Sequence, residues 1–276
     1  MIALLSKVLL RLFLARVTEP LSEKKGRDLV KRTISAMVGK GSVNHNSRKF
    51  KAENVSGERS RLNIDYCNES IKKVYHKLFD EALQRYNDKQ TRSDRKIENY
   101  YEKIRNSKQE KPFHELILQI GDKDNMNAES ENGQLAKQIL DKYYRGFQER
   151  NPYLYVFSAH LHMDEATPHL HIDFVPFTTG SKRGLDTRVS LKQALAAQGF
   201  KGGNKRDTEW NQWILSENNS LLLLWNGTAL SGSIKVRMTN ALMFWTTKCK
   251  NDQRRSKCLE RRLRRNRMRL KVCRQG

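Results

Sequence analysis

His160-Leu161-His162-Met163-Asp164-Glu165-Ala166-Thr167-Pro168-His169-Leu170-His171-Ile172-Asp173 decides the fold, because two runs of alternating residues meet in it across a short polar turn. Upstream, Tyr153, Tyr155, Phe157, Ala159 and Leu161 fall on one parity, and Leu154, Val156, Ser158, His160 and His162 on the other. Downstream, His169, His171 and Asp173 share a parity, while Leu170, Ile172 and Phe174 share its opposite. A period of two predicts strands on both sides. Met163 to Pro168 is the connection, with Asp, Glu, Thr and Pro supplying turn chemistry. Folded as a hairpin, the strands set His162 across from His169 and His171 on one face. Opposed residues then sit roughly 4.5–5.5 Å apart at Cα, which suits side chains converging on one ion.

A lone histidine is usually structural, and an H-x-H pair arises by chance. Three histidines on one face with acids in the turn point instead to a metal site: His162, His169 and His171, with Glu165 as a fourth ligand or an orienting partner. Asp164 is expected to fix an imidazole tautomer from behind. Imidazole-rich sites suit zinc, manganese, iron, cobalt or nickel better than magnesium or calcium, which prefer oxygen. Manganese is the expected ion, with magnesium or another divalent ion as the alternative. An open position would leave it free to polarise a carbonyl or phosphoryl oxygen. The helical H-E-x-x-H protease signature is absent, so peptide hydrolysis is not favoured.

The chain has 276 residues and a formal net charge of +23, which favours a polyanionic partner, nucleic acid before an anionic membrane. Cys67, Cys249, Cys258 and Cys273 show neither C-x-x-C spacing nor a paired framework, as in a reducing cytosol. Lys7, Arg11 and Arg16 interrupt the apolar N-terminal run, so neither a membrane span nor a secretory signal fits. Thr33 to Val38 predicts a short strand closed by Gly39 and Gly41. Ile71 to Ile104 reads as helix, and Tyr100 and Tyr101 carry hydroxyls whose chemistry permits nucleophilic attack. Pro112 to Ile120 alternates as a strand, beginning with His114 and Glu115. Glu131 to Arg150 repeats apolar residues at helical spacing and stops before Asn151-Pro152. Ser190 caps a further helix, and Trp210 to Trp213 begins another. The basic loop holding Lys182, Arg183 and Arg188 is expected to bind backbone phosphates of a nucleic acid near the metal-site strand. The expected class is α+β: an antiparallel sheet with helices packed on one face.

H-M-D-E-A-T-P-H-L-H followed by I-D-F-V-P-F resembles the third motif of the MobV relaxases, the plasmid mobilisation and recombination (Mob/Pre) family of histidine–hydrophobic–histidine endonucleases. The resemblance runs from about Thr33 to Asn218. Asn44-His45-Asn46-Ser47-Arg48 is similar to the first motif, which implies His45 as the nucleophile on the scissile phosphate and Arg48 as a fork on a phosphate oxygen. Arg59 to Tyr66 resembles the second motif. Ile64 stands where the family commonly has tyrosine, so Asn63 is the carry-over, as a DNA contact. The implied activity is metal-dependent nicking and rejoining of plasmid DNA at a transfer origin through a covalent 5′-phosphate link. The implied partner is single-stranded or supercoiled transfer-origin DNA in the bacterial cytoplasm. A homodimer stays open, and membrane association is not expected. Two rivals are a non-catalytic basic DNA-binding remnant with a structural metal site, and a hydrolytic metallophosphoesterase with no covalent step.

The resemblance implies three segments: residues 1–32 as an extension, 33–218 as the relaxase domain and 219–276 as a basic tail. From Asn219 onward 15 Lys/Arg stand against Asp252 and Glu260, supplying thirteen of the net positive charges. Codon degeneracy lets 224–240 be re-read one base earlier as an amphipathic peptide that resembles the family's continuation. The tail is therefore expected to be frameshifted or disordered.

Overall fold

A computed structural model describes residues 32–39, 41–50, 53–121, 126–204, 207–226 and 234–236. The expectations for residues 1–31, and for most of the tail, lie outside them. In chain order the strands are β1 (Arg32–Val38), β2 (Ile64–Asn68), β3 (His114–Ile120), β4 (Leu154–His162), β5 (His169–Thr178), β6 (Arg188–Val189) and β7 (Ile234–Val236). The helices are α1 (Val43–Asn46), α2 (Ile71–Asp88), α3 (Tyr100–Arg105), α4 (Glu131–Arg145), α5 (Phe147–Arg150), α6 (Leu191–Ala197) and α7 (Glu209–Asn226). Among the described residues one sheet runs β2-β4-β5-β3-β1-β7, with β6 on the end of β5. Its pairs are antiparallel except β1 with β7.

The central hairpin forms as the alternation requires. His162 pairs with His169, and His160 with His171. One expected parity fails. An irregularity between Val156 and Ser158 shifts the register. The extra residue of a bulge reverses which face its neighbours occupy. Leu154 and Val156 therefore join Leu161, Leu170, Ile172 and Phe174 in the core under α4, α6 and α7, rather than the histidines. Phe157, at the bulge, turns to the opposite side, against Phe113 and Val175.

Helices cover both faces, correcting the one-sided expectation. On the face away from the histidines, α4 buries Ala136, Ile139, Leu140 and Tyr143 at three- and four-residue spacing. Ser130 caps it, its Oγ accepting from the Gly133 N–H at 3.1 Å. On the histidine face, α2 buries Val74, Tyr75, Phe79 and Ala82 with α3 over Phe157 and Val175. Val175 shares the parity of His171 and Asp173. This second core therefore seals the far end of the histidine face and leaves its near end to the site. The helix expected over Ile71 to Ile104 breaks after Asp88, and the one over Glu131 to Arg150 breaks at Gly146.

α7 continues past the expected domain end at Asn218. Leu221 and Trp225 are buried in the main core, and the Asn218 Oδ1 accepts from the Ala36 N–H at 3.0 Å. At least to Asn226, the chain packs as part of the domain.

Candidate metal centre

Sheet register brings the histidines together. The ring centroids of His162 and His171 lie 4.7 Å apart, those of His169 and His171 4.9 Å, and those of His162 and His169 5.2 Å. Each ring has one nitrogen committed elsewhere. His162 Nε2 donates to the Asn46 carbonyl at 2.8 Å, and His169 Nδ1 to the Thr167 carbonyl at 2.8 Å. His171 Nδ1 donates to Glu115 Oε1 at 2.6 Å. Because those partners only accept, the second nitrogen of each neutral ring is a lone pair.

These lone pairs face one another. His162 Nδ1 and His169 Nε2 are 3.3 Å apart, and His171 Nε2 is buried without a hydrogen-bond partner. Burial first, then the neighbouring imidazoles, holds His162 far below the usual histidine range and His169 down to about 4, so both stay neutral. Abutting lone pairs and an orphaned buried acceptor fit a shared cation. Two overlapping groups have the required spacing, His162 with Glu165 and His169, and His45 with His162 and His171. His162 is common to both groups: Glu165 and His169 join it in one, whereas His171 joins it with His45 in the other, so among the described residues no single group holds all of the expected ligands.

His45 stands beside them on α1, its ring 6.1 Å from those of His162 and His171 and its side chain 25% exposed. Its Nε2 lies 3.5 Å from Glu165 Oε1 and 3.4 Å from an Arg48 nitrogen. Arg48 adopts φ 56, a left-handed backbone that turns its side chain back over the site. Its fork is already occupied. Nε donates to Asp164 Oδ2 at 3.0 Å, Nη2 to the other Asp164 oxygen, and Nη2 also to Glu165 Oε1 at 2.9 Å.

Several expected roles change. Asp164 touches no imidazole. It accepts from Arg48, from Asn63 Nδ2 at 2.7 Å and from Ser60 Oγ at 3.1 Å. Burial alone would raise its carboxyl, but these donors hold it down to about 2. Its task is to brace Arg48, because the turn points it toward the second-motif segment rather than along the sheet face. Asn63 is not free for DNA, since its Oδ1 also accepts from the Met163 N–H at 2.7 Å. Lys182, Arg183 and Arg188 follow the far end of β5, seven residues beyond His171, or roughly 23 Å along a strand. The fold does not bring them to the histidine cluster. Tyr100 is buried, its hydroxyl accepting from the Val189 N–H at 3.1 Å, so it is no nucleophile in this arrangement.

Sequence reasoning missed the layer beneath the histidines. Glu115, 3% exposed, accepts from His171, from Asn46 Nδ2 at 2.8 Å and from the Gly41 N–H at 2.7 Å. Asn46 Nδ2 also donates to Asp173 Oδ2 at 3.0 Å, which in turn accepts from Ser158 Oγ at 2.9 Å. The available signal was the polar Glu115 and Gln119 on one parity of β3, but only the β3–β5 register aims that parity at His171. A cleft of about 650 Å³ opens beside α1, bordered by Asn44, Lys49, Tyr101 and Phe113.

The family model described as plasmid recombination enzyme (Mob_Pre) matches residues 41–199, more than half of the chain. The chain belongs to that family. The Mob_Pre match spans the α1 segment with His45 and Arg48 as well as the whole histidine hairpin. No curated protein matches the chain. Among solved structures, it is similar to the MobM relaxase domain (MOBV; Mob_Pre) bound to a 22-nucleotide plasmid pMV158 oriT DNA in a Mn-bound crystal structure, with 18% identity, 78% of this chain and 99% of that chain covered, and a TM-score of 0.42. A second MobM structure, with a 3′-thiophosphate on the DNA and also Mn-bound, is 19% identical over 78% of this chain and 98% of that one, with a TM-score of 0.41.

Proposed function

We propose that this Mob_Pre protein nicks one strand of plasmid DNA at a transfer origin and holds the cut 5′ end covalently. The observation that carries this reading is the packing of three imidazole rings, with abutting His162 and His169 nitrogens and a partnerless His171 Nε2, beside the accessible ring of His45. His162, His169 and His171 would hold a divalent ion, manganese first, with Glu165 as the fourth group. When bound, that ion supplies Lewis-acid polarisation of a phosphoryl oxygen.

His45 is the nucleophile. Its neutral nitrogen bonds to the scissile phosphorus as the bond to the 3′ oxygen breaks, and the leaving oxygen takes a proton to become a 3′ hydroxyl. The phosphorylated imidazole carries positive charge, which the Glu165 carboxylate at 3.5 Å offsets. Arg48 holds Glu165 and Asp164 in place, and its remaining nitrogen faces His45. The phosphoester energy is kept in the link, so attack by a 3′ hydroxyl reverses the step and rejoins a strand. The cleft beside α1, with Lys49 at its rim and aromatic rings in its wall, suits single-stranded DNA, whose phosphates seek cations and whose bases seek rings.

The test is nicking of supercoiled plasmid carrying the cognate transfer origin, with manganese added. Wild type should leave an adduct stable to denaturant. His45→Ala should lose both adduct and nick, and His162→Ala should stop cutting while retaining most DNA binding. Nicking without an adduct would instead favour a hydrolytic phosphoesterase.

A further inference from the structure

We infer that Glu115 is a positioning residue that ties the metal centre to the helix carrying the nucleophile, so that one carboxylate sets both. The inference rests on the relaxase reading above. Glu115 lies in β3 opposite Asp173, two register pairs from the pair that holds His171, and its carboxylate contacts three separate parts of the site. Toward the sheet, Oε1 accepts from His171 Nδ1 at 2.6 Å, which fixes the tautomer that leaves Nε2 as the ligand atom. Toward α1, the same oxygen accepts from Asn46 Nδ2 at 2.8 Å. Toward the loop before α1, Oε2 accepts from the Gly41 N–H at 2.7 Å.

Asn46 is the residue after His45, and its carbonyl accepts from His162 Nε2. A closed circuit results, running from His171 through Glu115 and Asn46 to His162, with His45 mounted on the same short helix. A four-residue helix cannot hold its own position by backbone bonds alone. Its placement against the histidines therefore depends on Asn46, which is itself 1% exposed and anchored to Glu115 and Asp173.

Gly39 gives independent support. A Cβ built there would lie 1.8 Å from Glu115 Oε2, a collision that only displacement of the carboxylate relieves. The backbone of β1 thus leaves a slot for this one side chain. Gly39→Ala is a substitution that moves Glu115 while leaving every ligand, the nucleophile and the net charge unaltered.

The experiment uses the whole chain and two readouts, calorimetric titration with manganese in the absence of DNA, and kcat and KM for nicking. Glu115→Gln, of equal volume, should weaken manganese binding by about 10–100-fold. It should lower kcat by a comparable factor and leave KM for the DNA near wild type. Glu115→Asp keeps the charge but falls short of His171, and should lose affinity as well. Gly39→Ala should shift affinity and kcat in the same direction. If Glu115→Gln binds manganese as wild type does, or if Gly39→Ala leaves both readouts unmoved, Glu115 has no such role. Failure of the relaxase reading has a different signature, namely manganese affinity lost in the variants of a wild type that never nicks.

Discussion

At the scale of single residues the site separates groups that bind from groups that brace. Asp164 and Asn63 resemble DNA-facing or metal-facing residues in sequence, yet their hydrogen bonds are spent on Arg48 and on the turn. Asp164→Asn removes the charge opposing Arg48 and frees the guanidinium to move. Misplacement on the order of 1 Å costs about 100-fold in rate. The variant is therefore expected to lose about that much kcat with little change in DNA affinity, which single-turnover kinetics and fluorescence anisotropy would measure. A variant cutting at the wild-type rate would mean that Arg48 needs no bracing. His45 was legible only through its motif. Nothing in an N-H-N-S-R loop predicts a neighbouring carboxylate, and Glu165 reaches it only because the hairpin turn folds back over α1.

At the scale of elements, two polar groups buried between helix and sheet control stability. His114, at the start of β3, packs its ring on Phe174 and near Trp210 of α7. Burial, then Lys111, pulls its imidazole down to about 4. The folded pKa is thus below the unfolded one. The stability this neutral ring contributes is complete above about pH 6.5 and is lost as the pH falls toward 4. Between pH 7 and 5 wild type should lose about 2 kcal/mol more than His114→Phe, read from urea midpoints at the two pH values. Equal losses would place the acid sensitivity elsewhere.

Glu217, 3% exposed in α7, accepts from Tyr143, from Asn151 Nδ2 at 3.1 Å and from Arg150 at 3.3 Å. Its removal leaves the buried Tyr143 hydroxyl and Asn151 amide without that acceptor, so Glu217→Ala should cost about 1–3 kcal/mol in denaturant unfolding. The helical spacing of α4 was plain in the sequence, but of α7 only the start at Trp210 to Trp213 was legible. The breaks at Asp88 and Gly146 were less so, because period alone does not register where a helix must bend to stay on a sheet.

At the scale of the whole molecule, charge and packing do different work. The formal +23 draws a polyanion from any direction, whereas the sheet gives the strand one place to react. Lys182 and Arg183 are exposed and distant from the histidines, which makes the proposed DNA-binding role of this loop testable apart from the chemistry. Replacing both with alanine should flatten the dependence of log K on log salt by about 1.4 for single-stranded DNA. The same double variant should cut at the wild-type rate once DNA saturates. A lowered saturated rate would instead put this loop near the scissile phosphate. The buried Trp225 tests the extent of the domain: Trp225→Ala should cost about 3–5 kcal/mol, although it lies beyond the expected boundary.

The sequence by itself determined the hairpin, the three imidazoles that cluster on it and the family, because alternation and a long specific motif are local properties of the chain. Tertiary structure decided which face Leu154 and Val156 occupy, which carboxylate holds which partner, and that Glu115 lies beneath His171. Those outcomes depend on a bulge in β4 and on the pairing of β3 with β5. Both are set by how distant segments close around a shared core, and no spacing along the chain encodes that distance.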